Sequence, residues 1–179
     1  MLVLLVACGG GTDAPSIDAP IAVDAAIDAP APTFMTCTGA CKTTTLSATF
    51  ASTRGLDKAY YGVTQSPPSL HVEAYKNPPA GCPTAMSPNP DYTLILGRVP
   101  IPTDATPSTS PGNILDFKGD LLASGIGAAA TAVTITPTAA HQVTATGGFV
   151  ALDVMLTFAG GSVSGHLYAT HCASMDAAN

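Results

Sequence analysis

The chain has 179 residues, of which 10% are charged and 6% aromatic, with no Trp and a net charge of −6. Four of its twelve acids are Asp13, Asp18, Asp24 and Asp28, so the chain beyond Pro32 carries eight acids against six bases, a net of −2. That balance excludes the basic footprint a nucleic-acid partner needs, and scarce aromatic rings leave little for a carbohydrate-stacking platform.

Residues 1–8 read Met-Leu-Val-Leu-Leu-Val-Ala-Cys. The run is far too short to span a bilayer. Leu5-Val6-Ala7-Cys8 resembles the bacterial lipobox, in which Leu, a small or apolar residue and Ala or Gly precede a Cys. The resemblance implies cleavage before Cys8, a diacylglycerol on its sulfur, and a membrane partner engaged through that lipid. No Lys or Arg precedes the run, and it is shorter than the usual 7–15-residue apolar region, so the pattern predicts a start upstream of Met1. One acyl chain anchors only marginally; a mature bacterial lipoprotein usually carries three.

Residues 9–32 form an imperfect repeat: Asp13-Ala14-Pro15, Asp18-Ala19-Pro20, Asp24-Ala25-Ala26 and Asp28-Ala29-Pro30. Proline, like charges and the lack of aromatic residues predict a disordered tether, with too little apolar surface to offset ordering entropy. At about 3.1 Å per residue it would reach roughly 75 Å when fully extended. The tract is similar to those that come after the lipobox in predicted lipoproteins of the myxobacterial type. That resemblance implies a Gram-negative envelope, with an outer-membrane anchor on its periplasmic or surface side.

Residues 33–179 are long enough for one domain with a real core. With Cys8 assigned to lipid, Cys37, Cys41, Cys82 and Cys172 remain, an even number suited to an oxidising compartment. Four cysteines allow three connectivities; Cys37–Cys41 with Cys82–Cys172 is preferred, and free buried thiols are the alternative. A bridge closing the long loop from Cys82 to Cys172 would stabilise by roughly 4–5 kcal/mol on the chain-entropy model.

Period-two alternation governs the rest and predicts strands. Leu46, Ala48 and Phe50 alternate with Thr45, Ser47 and Thr49. A turn is expected at Arg54-Gly55, then a strand over Ala59 to Val63. Leu70, Val72 and Ala74 alternate with His71, Glu73 and Tyr75. Residues 76–91 hold five prolines and read as a loop with Cys82 inside it. Further strands are expected over Tyr92 to Leu96, Ile114 to Leu122 (bent at Gly119) and Ala132 to Thr136, the last stopped by Pro137. Residues 100–112 form a second loop. His141 to Thr146, Phe149 to Phe158 and Ser162 to Thr170, joined by Gly147-Gly148 and Ala159-Gly160-Gly161, read as a three-strand meander. Val150, Leu152, Val154, Leu156 and Phe158 make the clearest core stripe. The pattern predicts an all-β domain, an antiparallel β-sandwich with long Pro-rich loops, or alternatively a closed barrel.

Chemical motifs are sparse. Gly125-Ile-Gly127-Ala-Ala-Ala130 matches a dinucleotide fingerprint, but a Thr-rich strand comes next where a helix should open. Gly161-Ser-Val-Ser-Gly165 is out of register for a nucleophile elbow. His71, Glu73 and Tyr75 share one strand face, and His166 and Tyr168 another; they would build a polar site if those strands paired, and a solvated outer face otherwise. Asp116 and Asp120 read as exposed acids of a turn rather than paired catalytic carboxylates. A zinc site from His171, Cys172 and Cys82 would need thiolates, which an oxidising compartment does not supply. No catalytic residue, cofactor or metal is therefore nominated. The expected function is that of an envelope lipoprotein whose disulfide-braced β domain binds a protein or polysaccharide, or makes structural contact. The rivals are an exported hydrolase or metal enzyme with a loop-built site, and a carrier of small apolar ligands should the sheet close.

Overall fold

The computed structural model describes residue 34 and residues 36–177; the proposed lipid site at Cys8 and the tether lie outside the described residues. Among the described residues there are ten strands in chain order: β1 (Thr45–Thr49), β2 (Thr53–Leu56), β3 (Lys58–Gln65), β4 (Pro68–Lys76), β5 (Tyr92–Val99), β6 (Gly112–Asp116), β7 (Gly127–Ala129), β8 (Ala132–His141), β9 (Phe149–Phe158) and β10 (Gly161–His171). Short 3-10 turns at Gly39–Lys42 and Ala173–Met175 flank them. The fold is all-β and sandwich-like, as the alternation predicts, and the sheet is not closed into a barrel.

Strand β10 joins the two leaves of this sheet. On one edge it pairs with β9 along its length. On the other it pairs first with β1, from Ser162 to His166, and then with β3, from Ala169 to His171. The β3 pairing is parallel, a departure from the all-antiparallel expectation, because β3 and β10 are far apart in the chain and meet without a hairpin. One leaf is thus β8–β9–β10–β1–β2 and the other β3–β4–β5–β6–β7. Gly165 lies where β1 passes β10. Its φ of +130° and the place a Cβ would occupy, 2.4 Å from Thr45 O, both require glycine.

The apolar faces of the leaves meet. Val150, Leu152, Val154, Leu156 and Phe158 are all buried and belong to one cluster with Leu46 and Ala48 of β1, Leu70, Val72 and Ala74 of β4, and Leu94 and Leu96 of β5. A Cβ on Gly112 of β6 would collide with Leu156 of β9, so the two leaves touch there. Consecutive amides link them nearby: Ala130 N–H donates to Gly112 O (2.8 Å) and Thr131 N–H to Thr157 O (2.7 Å).

Local expectations differ from the structure at four places. Arg54-Gly55 lies inside β2, and the turn is one step earlier, where Phe50 N–H donates to Ser52 O. Pro137 does not stop β8. A bulge between Pro137 and Ala139 absorbs it, and β8 has a regular ladder only with β9, so the missing N–H costs no pairing on its outer edge. The strand expected over Ile114 to Leu122 ends at Asp116. Of the segment expected as a strand over His141 to Thr146, His141 ends β8 and the rest is a turn, held by Ala145 N–H to Gln142 O and Gly148 N–H to Ala145 O.

Cys37 is bonded to Cys41, and Cys82 to Cys172, 90 residues apart. The first bridge packs on Ala139, Ala151, Phe149 and Tyr168, on the outer face of β8–β9–β10. The second ties the proline loop to the end of β10.

Leu156 tests the leaf contact. Leu156→Ala should destabilise the domain by about 2–5 kcal/mol, read as a lower urea midpoint with an unchanged m-value. A loss below about 1 kcal/mol would mean that the leaves do not pack there.

Candidate functional site

Alternation along β4 places Leu70, Val72 and Ala74 in the core, so His71, Glu73 and Tyr75 must face outward. A solvated outer face does not result. The loop between β4 and β5 folds back over it and makes a roof. The base of this loop is closed by Asp91 N–H to Lys76 O (2.9 Å) and Asn77 Nδ2 to Asp91 Oδ2 (2.7 Å). Its tip is turned by Thr84 N–H to Ser87 Oγ (2.9 Å). The Cys82–Cys172 bridge and the bond from Ser174 Oγ to Pro83 O (2.7 Å) fasten the roof to the C-terminal turn. That turn itself lies on β3: a Cβ on Gly62 would sit 2.2 Å from Met175 O, so only glycine admits it.

Two cavities remain beneath the roof. One, of about 220 Å³, lies over β4, β5 and β6 and is walled by Tyr75, Phe117, Leu115, Ile95 and proline rings. The other, of about 290 Å³, lies toward His71, Ser174 and Met175. Glu73, Pro83 and Thr84 line both. Phe117 reaches its wall because Asp91 O accepts from both Phe117 N–H and Lys118 N–H.

Glu73 is the central charge. His71 Nε2 lies 2.6 Å from its Oε1, and Tyr75 OH donates to its Oε2. Its side chain is 22% exposed. Burial alone would raise its pKa, but the bonds from His71 and Tyr75 and the charge of a protonated His71 outweigh it, so the carboxyl is held below its ordinary value. Burial, and then the bond to Glu73, push the Tyr75 phenol upward, so it remains a donor. Tyr75 also joins Tyr60, Cys172 and Met175 in a small apolar cluster outside the main core.

His166 and Tyr168 do not join this site. They lie on the other leaf, where the His166 ring nitrogens face Asp153 Oδ1 (2.7 Å) and Cys41 O (2.9 Å). Tyr168 packs against Phe149, ring centroids 5.2 Å apart. His171 Nε2 lies 3.0 Å from Asp176 Oδ1, while Cys172 turns to the outer cluster and its disulfide. The two neighbours thus diverge, and their sulfur partner Cys82 is oxidised. Among the described residues, no group of three or more His, Cys, Asp or Glu side chains is placed to hold a metal ion. Ser174, which lines the second cavity together with His71, donates its hydroxyl to Pro83 O.

The Asp116–Asp120 turn requires a correction. Asp116 is 1% exposed and accepts N–H bonds from Gly119 (2.6 Å), Leu121 (2.8 Å) and Leu122 (2.9 Å). Burial would raise its pKa, but these backbone donors hold it below the usual range. Their capture by one side chain also explains why β6 stops here. Asp120 is the exposed member; it accepts from Tyr92 OH and pairs with Arg54 (3.4 Å) and Lys118 (3.3 Å).

The roof residues Thr84, Phe117, Ser174 and Met175 carry no motif. Their one signal in the sequence is Cys82, set within a proline loop and bonded to a cysteine just past the last strand. No protein-family model, curated protein or solved structure matches this chain.

The pKa directions fix the sign of an acid effect. A carboxyl held below its ordinary value contributes stability that is complete above that value, 4.5 for Glu73, and is withdrawn as pH falls through the lower native value. Glu73→Gln keeps an acceptor for Tyr75 but cannot titrate. Urea midpoints taken between about pH 6 and pH 3 should therefore fall less steeply for this variant than for the parent. Identical slopes would show that Glu73 is not coupled to folding.

Proposed function

We propose that the chain is an envelope-anchored lipoprotein, held by lipid on Cys8 and an Asp/Ala/Pro tether, whose disulfide-braced β domain works as a binding or contact module outside the cytoplasm. The observation that carries this reading is the pairing of Cys37 with Cys41 and of Cys82 with Cys172. Disulfides persist in oxidising compartments and are reduced in the cytosol. All four cysteines after the tether are thereby accounted for, which leaves Cys8, directly behind an apolar run, as the one for lipid.

A binding role is supported by the roofed cavities around Glu73. Rigid scaffold strands there carry a loop whose apolar and polar groups converge on a concave surface, the usual character of a ligand site. The carrier of small apolar ligands loses its premise, since it required a closed sheet.

Fractionation tests the anchor. Cys8→Ala, expressed with its export signal intact, should move the protein from the membrane fraction to the soluble one. Unchanged fractionation would end the lipoprotein reading. Independently, reduction of the exported domain should raise its intact mass by about four hydrogens, one per sulfur.

A further inference from the structure

We propose that the roofed cleft around Glu73 binds a primary ammonium group on an aliphatic stem, of the kind carried by a lysine side chain or a free alkyl diamine. This rests on the reading of the domain as a binding module and names the ligand class for its roofed site.

Among the described residues, neither cavity is lined by Lys or Arg, and Glu73 and His71 are the only acid and base that line them. The cations nearest in sequence are engaged elsewhere: Lys76 Nζ lies 2.7 Å from Asp57, and Lys58 Nζ lies over the Tyr60 ring. The carboxylate receives two bonds from within the site, one to each oxygen. Each oxygen has a second acceptor position. A glutamine, with a single oxygen, could accept only one of these bonds; the carboxylate accepts both and still has a free acceptor position on each oxygen, where a further donor such as an ammonium group would bond.

The walls are apolar and aromatic. Proline rings together with Leu115, Ile95, Phe117 and Tyr75 offer apolar surface for methylene groups and aromatic faces that favour a nearby cation. Phe117 is 40% exposed although it is a large hydrophobic residue, so part of its ring is open to a ligand. Size is the third constraint. A volume of about 220 Å³ falls below the roughly 300–1,000 Å³ of drug-sized ligand pockets and suits a single extended side chain. Thr84, common to both cavities, and Ser87, at the first, provide hydroxyl oxygens at the rim.

The test is a titration of the full chain at neutral pH, monitored by amide chemical shifts, with n-pentylamine, Nα-acetyl-lysine methylamide and n-pentanol. The alcohol has a similar apolar body without charge. Both amines should shift the amides of Glu73, Thr84 and Phe117 and bind at least about tenfold more tightly than pentanol, a preference of about 1.4 kcal/mol. Tighter binding of the lysine derivative assigns the ammonium to a peptide, and tighter binding of pentylamine to a free amine; either supports the proposal. Glu73→Gln should erase the preference for amines over pentanol, whereas Tyr75→Phe, which frees one acceptor position, should retain it. Should Glu73→Gln not fold, Phe117→Ala carries the test by weakening both amines while Glu73 stays charged. Amines no better than pentanol, a preference that survives Glu73→Gln, or unshifted amides at these residues would overturn the proposal. None of these outcomes depends on the anchor, so failure here would leave the Cys8→Ala result standing, and the reverse.

Discussion

The parallel pairing of β10 with β3, only three residue pairs long, is the constraint on which the rest of the domain depends. Without it, β3–β7 and the leaf built on β9 and β10 would be separate sheets joined by apolar contact, the Ala130 and Thr131 amides and the Cys82–Cys172 bridge, with no shared ladder. Parallel pairs need a long crossover and close late, because loop-closure entropy precedes any gain from the contact. Here the crossover is most of the domain. The Cys82–Cys172 bridge stands immediately after this pairing and ties the same distant parts of the chain together. Cys172 N–H also donates to Tyr61 O (2.8 Å), which extends the β3 contact by one bond. The covalent and hydrogen-bonded closures therefore reinforce one another at the end of β10.

The same closure makes the cleft. The chain leaving β10 crosses the outer face of β3 at Gly62, and the disulfide draws the proline loop toward it. A loop with five prolines has few conformations to lose on folding, so pinning it at one cysteine and at its base holds the whole roof. Its irregular backbone is satisfied locally, by the Thr84–Ser87 turn and the Asp91 bonds, rather than by a neighbouring strand. Glu73 can then remain ionised in partial burial because His71 and Tyr75 solvate it in place of water.

Much of this was legible in the sequence, and the reason is periodicity. Val150 to Phe158 alternate so regularly that β9, its face and its register with the turn at Ala159-Gly160-Gly161 could be read directly. The strand around Leu70, Val72 and Ala74 was readable on the same ground, and so was the outward direction of His71, Glu73 and Tyr75. What covers that outward face was not readable, because alternation reports which side is apolar and says nothing of a loop folding onto the other. Asp116 misled for a related reason. An acid beside Phe-Lys-Gly looks like an exposed turn, and only the three-dimensional path brings three amides onto it. Pro137 misled because the usual rule against proline in a strand weakens at an edge with a bulge, and edge status is a property of topology.

Topology also relates the cleft to the N-terminal side of the domain. Phe34 bridges to Ala140 on the outer edge of β8, and the Cys37–Cys41 turn packs on the outer face of β8–β9–β10. The Glu73 cleft lies on the outer face of β4–β5–β6, the opposite side of the sandwich, because each leaf turns its other face to the shared core. The chain therefore enters the domain on one face, and the cleft opens on the other. On the proposed reading of a lipid-held tether, that arrangement presents the cleft away from the attachment point. His166 belongs to the entry side. Its two bonds, to Asp153 and to the carbonyl of Cys41, clamp the first disulfide turn to the sheet, so pull on the tether would meet this clamp before it reached the strands that shape the cleft.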